Sequence, residues 1–170
     1  MTDVFISYSR RDKEFVRELH AVLVKQGRDV WVDWEDIPPN ADWRAEIKAG
    51  IESTDTFVYV ISPDSVASKE CGVEVDLAIA NNKRLVPILW KEAKDVHPEL
   101  AKLNWIFFRE QDDFETALAK LNQAIDTDLD YVHTHTRLLS RALEWDKKLR
   151  DRSLTLRGSD LKEACQWLAD

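Results

Sequence analysis

Residues 56–61, Thr-Phe-Val-Tyr-Val-Ile, form an unbroken run of β-branched and aromatic side chains that stops at Ser62-Pro63. Such a run is typical of a strand buried on both faces of a sheet. A helical pattern follows from about Ser68 to Asn82, and a second apolar run follows at 85–89. A strand, a helix and a strand in that order predict two parallel strands joined by a helical crossover.

The same alternation continues on both sides of this unit. Short apolar runs at 4–6, 30–32 and 105–108 predict three further strands, with apolar residues at helical spacing between them. We therefore expect an α/β fold with a five-stranded parallel sheet covered by helices on both faces. Ligands of such sheets bind beyond the carboxyl ends of the strands, so the residues that directly follow the runs are the candidate site.

The C-terminal part has a different pattern. Residues 126–136 lack apolar periodicity and are interpreted as a connector, and two amphipathic helical stripes follow it. The stripes consist of Leu138, Ala142, Trp145 and Leu149, and of Leu161, Ala164, Cys165 and Leu168. The sequence thus predicts one domain over residues 1–128 and a connector with a short helical extension over 129–170.

Charge argues against nucleic acid as a partner. The 170 residues include 24 Lys and Arg against 32 Asp and Glu, a net charge of −8. Residues 131–170 carry 8 basic and 6 acidic side chains, so the acidic excess belongs to the predicted front domain. An acidic domain repels a phosphate backbone, which disfavours a broad nucleic-acid surface there.

Other classes are disfavoured by what the sequence lacks. No apolar run is long enough to span a membrane, and no basic stretch precedes an apolar one at the N-terminus. Two cysteines 94 positions apart do not suggest a disulfide framework, so a cytoplasmic protein is expected. The 4 glycines are too dispersed for a dinucleotide or P-loop phosphate motif. The pair His133 and His135 has no partners at ligand spacing, so we expect no metal site.

Five segments, in order and suitably spaced, resemble the Toll/interleukin-1 receptor (TIR) domain. They are Asp-Val-Phe-Ile-Ser-Tyr-Ser at 3–9, Val-Trp-Val-Asp at 30–33, Val-Ile-Ser-Pro at 60–63, Ser-Lys-Glu-Cys-Gly-Val-Glu at 68–74 and Arg-Leu-Val-Pro-Ile at 84–88. The resemblance covers about residues 1–128 and implies a flavodoxin-like fold. A response-regulator receiver shares that fold class, but it needs acids after the first strand, where Ser7-Tyr8-Ser9 stands here.

The resemblance implies one of two functions. Many family members, bacterial ones included, cleave NAD+ to nicotinamide and ADP-ribose or a cyclic isomer, often in antiphage defence. Others are scaffolds that assemble with further TIR domains. Our leading interpretation is an NAD+ glycohydrolase activated by self-association, with NAD+ as substrate and with no cofactor. The alternative is a non-catalytic interaction module that recruits other TIR domains.

Glu74 is the candidate catalytic residue that the resemblance implies. At about 100° per residue, it borders the apolar stripe formed by Cys71, Val75 and Ala78 and is expected to point into the cleft. The non-catalytic alternative is that Glu74 is an ordinary glutamate near the start of a helix, where the helix dipole favours a negative charge.

The candidate substrate-binding residues are Arg10, Trp43, Trp34, Asp33 and Ser7. Arg10 and Ser7 follow the first strand, where an arginine can pair with phosphate or stack on a base. Trp34 and Trp43 flank a loop containing Pro38-Pro39 and are placed to stack on a base, although Trp43 is equally suited to begin the apolar stripe of a helix. Asp33 is a candidate partner for ribose hydroxyls.

Overall fold

The computed structural model describes residues 2–33 and 43–169. The candidate Trp34 and the Pro38-Pro39 loop lie outside the described residues. Five strands are formed: β1 (Thr2–Ser7), β2 (Val30–Val32), β3 (Thr54–Ile61), β4 (Arg84–Leu89) and β5 (Ile106–Phe107). The α-helices are α1 (Lys13–Lys25), α2 (Trp43–Ser53), α3 (Pro63–Ala67), α4 (Lys69–Ala80), α5 (Pro98–Ala101), α6 (Phe114–Asp126), α7 (Leu129–Lys147) and α8 (Gly158–Ala169).

All five strands are parallel and lie in the order β2-β1-β3-β4-β5. The predicted α/β class and five-stranded parallel sheet are confirmed. Ile6 of β1 is opposite Val32 of β2 and Val58 of β3. This register brings Ser7, the last residue of β1, and Asp33, which follows β2, to the same edge of the sheet.

Helices cover both faces of the sheet, as expected. On one face, alternate residues of β1 and β3 such as Ile6 and Val58 pack with Leu19 of α1 and Leu121 of α6. On the other face, Phe5, Phe57 and their neighbours pack with α2 and α4. All eight residues of β3 are buried, which explains the unbroken apolar run from which the fold was inferred. Each fully buried large aliphatic side chain contributes about 1.5–3 kcal/mol to folding.

The start of α4 is fixed by Ser68, whose hydroxyl accepts a hydrogen bond from the backbone N–H of Cys71 at 3.3 Å. The preceding α3 starts with a capping box: Ser62 accepts from the N–H of Ser65, and the Ser65 hydroxyl accepts from the N–H of Ser62. These caps satisfy backbone donors that a helix leaves free at its N-terminus. The Ser68 cap therefore defines where α4 begins, and Glu74 lies in the second turn of that helix.

The chain divides into two compact units, Met1–Thr127 and Asp128–Asp170. The expected connector over 126–136 is wrong, because 129–136 form the first part of α7. Tyr131 stacks on Trp167 of α8 with ring centroids 4.8 Å apart, and the Trp167 indole N–H donates to the Tyr131 carbonyl at 3.2 Å. A contact between two aromatic rings distant in sequence stabilises this helix. The sequence pattern did not predict the helix because apolar periodicity reflects only neighbouring residues.

Two further properties concern the described part of the chain. No helix there is both long and apolar enough to cross a membrane. Within the same residues, no group of three or more His, Cys, Asp and Glu side chains is arranged to hold a metal ion.

Candidate functional site

A cavity of about 380 Å³ opens at the carboxyl edge of the sheet, between the turn after β1 and the start of α4. Four of the residues singled out from the sequence line it: Arg10, Asp33, Trp43 and Glu74. They come from the turn after β1, the end of β2, α2 and α4. The structure thus brings together side chains that are separated by up to 64 positions in the sequence.

Glu74 lies in the wall of this cavity with only 8% of its surface exposed. The hydroxyl of Ser7 donates a hydrogen bond to its Oε2 atom at 2.5 Å. Ser7 is 1% exposed and lies behind the carboxylate rather than in the lining of the cavity. No described residue donates to Oε1 of Glu74. One carboxylate oxygen is therefore held by the protein, and the other remains available.

Burial raises the pKa of Glu74 to about 7, because the carboxylate loses hydration. The hydrogen bond from Ser7 acts in the opposite direction, and the negative charges of Asp33 and Glu70 raise the pKa further. Glu74 therefore exchanges its proton near neutral pH. A strongly shifted carboxyl in a cleft is typical of functional sites.

Asp33 organises the opposite wall. Its Oδ2 accepts a hydrogen bond from the Trp43 indole N–H at 3.1 Å and lies 3.7 Å from Nη2 of Arg10. Its backbone carbonyl accepts from the Tyr8 hydroxyl at 2.9 Å. The other carboxylate oxygen, Oδ1, is buried and has no hydrogen-bond partner among the described residues. Asp33 thus orients both Trp43 and Arg10 and retains a free acceptor.

Trp43 belongs to both the core and the cavity. It is half-buried against the core cluster beside α2 and α4, and it also lines the cavity. Arg10 is more open, with 55% of its side chain exposed. An exposed guanidinium at the cavity mouth can meet an anionic ligand without a large desolvation cost.

Two lining residues, Arg11 and Glu70, were not singled out from the sequence. Tyr8 and Ser9 directly follow β1, where the strand-end rule already directed attention. Glu70 precedes Glu74 by four positions, the spacing that places two side chains on one helix face. The sequence could have identified Glu70 by this spacing.

The environment of Cys71 does not activate its thiol as a nucleophile. Burial raises the pKa of its thiol to about 11, and the thiol donates to the Tyr8 carbonyl at 3.3 Å. The thiol is therefore protonated at neutral pH, whereas the thiolate is the reactive form. Its role is to pack α4 against the turn after β1.

A second cavity of about 530 Å³ adjoins the first between α2 and α4. The two share Trp43, Glu70 and Glu74. Its apolar surface includes Ile47, Val73 and Leu77, and three basic side chains surround it: Arg44, Lys48 and Lys69.

The first unit is a doubly wound α/β domain with a buried carboxylate in a cleft at the carboxyl edge of its sheet. In domains of this class, that edge is where ligands bind. A model of the TIR domain family matches residues 4–122, and the chain therefore belongs to that family. The family resemblance inferred from the sequence is confirmed.

Two curated relatives are similar over part of their length. One is the probable 2′ cyclic ADP-D-ribose synthase TcpO of Methanobrevibacter olleyae, 34% identical over 91 residues that cover 51% of this chain and 27% of that protein. The other is the 2′ cyclic ADP-D-ribose synthase AbTIR of Acinetobacter baumannii, 32% identical over 108 residues that cover 58% of this chain and 40% of that protein. This chain spans less than half the length of either relative.

Among solved structures, the TIR domain of the Toll-related receptor TRR-2 of Hydra magnipapillata is similar with a TM-score of 0.65 and 23% identity. The match covers 74% of this chain and 98% of that one. At this identity the likeness concerns the fold alone.

Proposed function

We propose that this chain cleaves the bond between nicotinamide and ribose in NAD+, releasing nicotinamide. The ADP-ribosyl cation left behind then bonds to water or to one of its own hydroxyls, which releases a proton to solvent and gives a linear or a cyclic product. The observation that carries the proposal is the buried Glu74 carboxylate in the wall of the cavity, held by Ser7. The names of TcpO and AbTIR as 2′ cyclic ADP-D-ribose synthases support the same chemistry.

A single carboxylate suits this reaction. The nicotinamide of NAD+ is a pyridinium cation, so it leaves as a neutral molecule and needs no proton from the protein. The general acid that ordinary glycosidases supply is therefore unnecessary. Positive charge develops on the ribose as an oxocarbenium ion, and a fixed negative charge beside it lowers the barrier.

The environment of Glu74 strengthens that effect. Removal from water lowers the local dielectric constant, so the carboxylate interacts more strongly with a developing cation. The Ser7 hydroxyl fixes Oε2 at 2.5 Å and leaves Oε1 for the ribose. We assign Ser7 the role of positioning Glu74, in place of the direct substrate contact expected from the sequence.

The remaining candidates are assigned to substrate binding. Arg10, exposed at the cavity mouth, pairs with the diphosphate. The Trp43 ring offers a stacking surface to a base, and Asp33 orients Trp43 and offers Oδ1 to a ribose hydroxyl. The adjoining second cavity, with Arg44, Lys48 and Lys69 around it, gives room for the rest of the dinucleotide. Trp34 keeps its assignment from the sequence as a stacking residue.

We further propose that turnover depends on self-association with other copies of the domain, in a cytoplasmic defence response. This part of the proposal comes from the family, in which two neighbouring domains of enzymatic members can complete one substrate site. A lone, dilute domain is then expected to be slow.

The test is nicotinamide release from NAD+, followed by NMR or chromatography, with the chain dilute in solution and crowded on beads. The expected result is release at a rate per chain that increases with crowding. The amount of protein is held equal in both arms, so that only the distance between chains differs. Absence of nicotinamide under crowding, with self-association intact, would assign the chain to the non-catalytic interaction modules.

A further inference from the structure

A second buried carboxylate, Asp12, lies behind the cavity and has no part in the chemistry proposed above. It ends the 3₁₀ turn Arg10–Asp12, and its side chain is fully buried. The Ser62 hydroxyl donates to its Oδ2 at 2.5 Å, and the Lys91 ammonium lies 3.4 Å from its Oδ1. Both carboxylate oxygens are therefore engaged.

The three residues join three loops at the carboxyl edge of the sheet. Asp12 belongs to the turn after β1, Ser62 directly follows β3, and Lys91 lies just past β4. The last two loops are also joined by backbone bonds, because the N–H groups of Trp90 and Lys91 donate to the Ile61 carbonyl at 3.0 and 3.2 Å. Asp12 attaches the turn after β1 to both of these loops, the one after β3 and the one after β4.

That turn forms one wall of the cavity. Arg10 and Arg11 line the cavity, and the Asp12 N–H donates to the Ser9 carbonyl at 2.8 Å to close the turn. Arg11 forms an ion pair with Asp64 of α3 at 3.0 Å. The Arg11 pair is exposed and contributes little to the free energy of folding, so the buried Asp12 is the stronger of the two attachments.

Stability alone does not explain a charge at this position. Removing a carboxylate from water costs several kcal/mol, and a packed apolar side chain in its place is often as stable or more so. An apolar residue does not form directional bonds, whereas Asp12 accepts hydrogen bonds from Ser62 and Lys91, which lie in two different loops. Directed bonds of this kind specify one geometry for the turn.

We propose that Asp12 is a positioning residue, which fixes the turn after β1 against Ser62 and thereby holds Arg10 at the cavity mouth, where it binds the anionic part of the substrate. The role of Arg10 rests on the proposed function. The placement of the turn itself does not, because amide hydrogen exchange measures it in the absence of NAD+.

The kinetic test compares Asp12→Asn with wild type in the full chain, under the crowded conditions described above. Losing a hydrogen bond to a charged group is expected to increase KM for NAD+ about tenfold with little change in kcat, since Arg10 binds substrate and does not touch the reacting bond. In an Arg10→Ala background, Asp12→Asn is expected to add less than about twofold, because the two residues act as one unit.

The matched control is Asp55→Asn. Asp55 is buried to the same degree, 2% exposed, but lies at the amino end of β3, far from the cavity edge. Its replacement is expected to leave KM unchanged. An equal rise in KM for both variants, an unchanged KM for Asp12→Asn, or a full rise in the Arg10→Ala background would overturn the proposal.

Amide hydrogen exchange of the unliganded chain tests the turn without any reference to NAD+. Asp12→Asn is expected to speed exchange of the residue 12 amide at least about tenfold relative to the Lys83 amide, which donates to Ala78 at the other end of α4. Ser62→Ala is expected to do the same. Unchanged exchange in both variants contradicts the proposal. If wild type releases no nicotinamide, the proposed function fails, and the exchange result alone decides whether Asp12 fixes the turn.

Discussion

At the scale of the residue, Glu74 combines two properties that oppose each other. Its burial strengthens its effect on a cation in the cavity but raises the pKa from 4.5 to about 7. Between those two pH values the folded chain binds more protons at this group than the unfolded chain does. Stability from this group therefore decreases as pH rises through that window, by up to about 3 kcal/mol. The ionised form of Glu74, which the proposed reaction requires, is less favourable for folding than the protonated form.

The pH dependence of turnover follows from the same shift. Protonation removes the negative charge that stabilises the oxocarbenium ion, so kcat/KM for NAD+ is expected to fall about tenfold per pH unit below 7 and to level off above it. Because protonation of Glu74 stabilises the fold, this acidic loss of activity is not unfolding caused by Glu74. Rates between pH 5.5 and 8.5, with circular dichroism at each pH, check this. A flat profile, or activity that increases towards acid, would contradict the assignment.

The bond between Ser7 and Glu74 illustrates what the sequence does not provide at this scale. Both residues were candidates, but 67 positions separate them. Their contact depends on how α4 crosses the sheet over the end of β1, which residue patterns do not encode. The same is true of the bond between Asp33 and Trp43, where the candidates were known and their partnership was not.

At the scale of the element, α4 is the helix on which the site depends, and Ser68 is its N-cap. Replacing Ser68 by alanine is expected to lower the free energy of unfolding by about 1 kcal/mol. Asp113 caps α6 in the same way, accepting from the N–H of Thr116 at 2.8 Å, and Asp113→Ala is expected to be similarly destabilising. Since α4 carries Glu74, only Ser68→Ala is expected to reduce nicotinamide release as well.

Urea denaturation and NAD+ turnover of both variants test this, with turnover measured where both remain folded. Equal activity losses in the two variants would show that stability alone, and not the start of α4, limits turnover. Unchanged stability in both variants would show that neither the Ser68 hydroxyl nor the Asp113 carboxylate contributes measurably to the free energy of unfolding.

At the scale of the whole molecule, the order of the five strands and the longer helices of the first unit was predictable because each of these elements has its own local periodicity, whereas the short helices α3 and α5 were not predicted. All eight residues of β3 are buried, and those at 56–61 form the run typical of a strand covered on both faces. The second unit was less predictable. In α7, residues 129–136 lack a regular apolar stripe, and their helix is stabilised by the contact of Tyr131 with Trp167, 36 positions away.

The proposed cleavage of NAD+ depends most directly on the charge of Glu74, and the decisive measurement is the rate of nicotinamide release by Glu74→Gln. We predict a decrease in kcat of at least about a thousandfold, because glutamine keeps the shape of the side chain and removes its charge. At pH 8 the variant is expected to be at least as stable as wild type, since it no longer buries a charge. A folded Glu74→Gln chain that releases nicotinamide within tenfold of the wild-type rate would contradict the account.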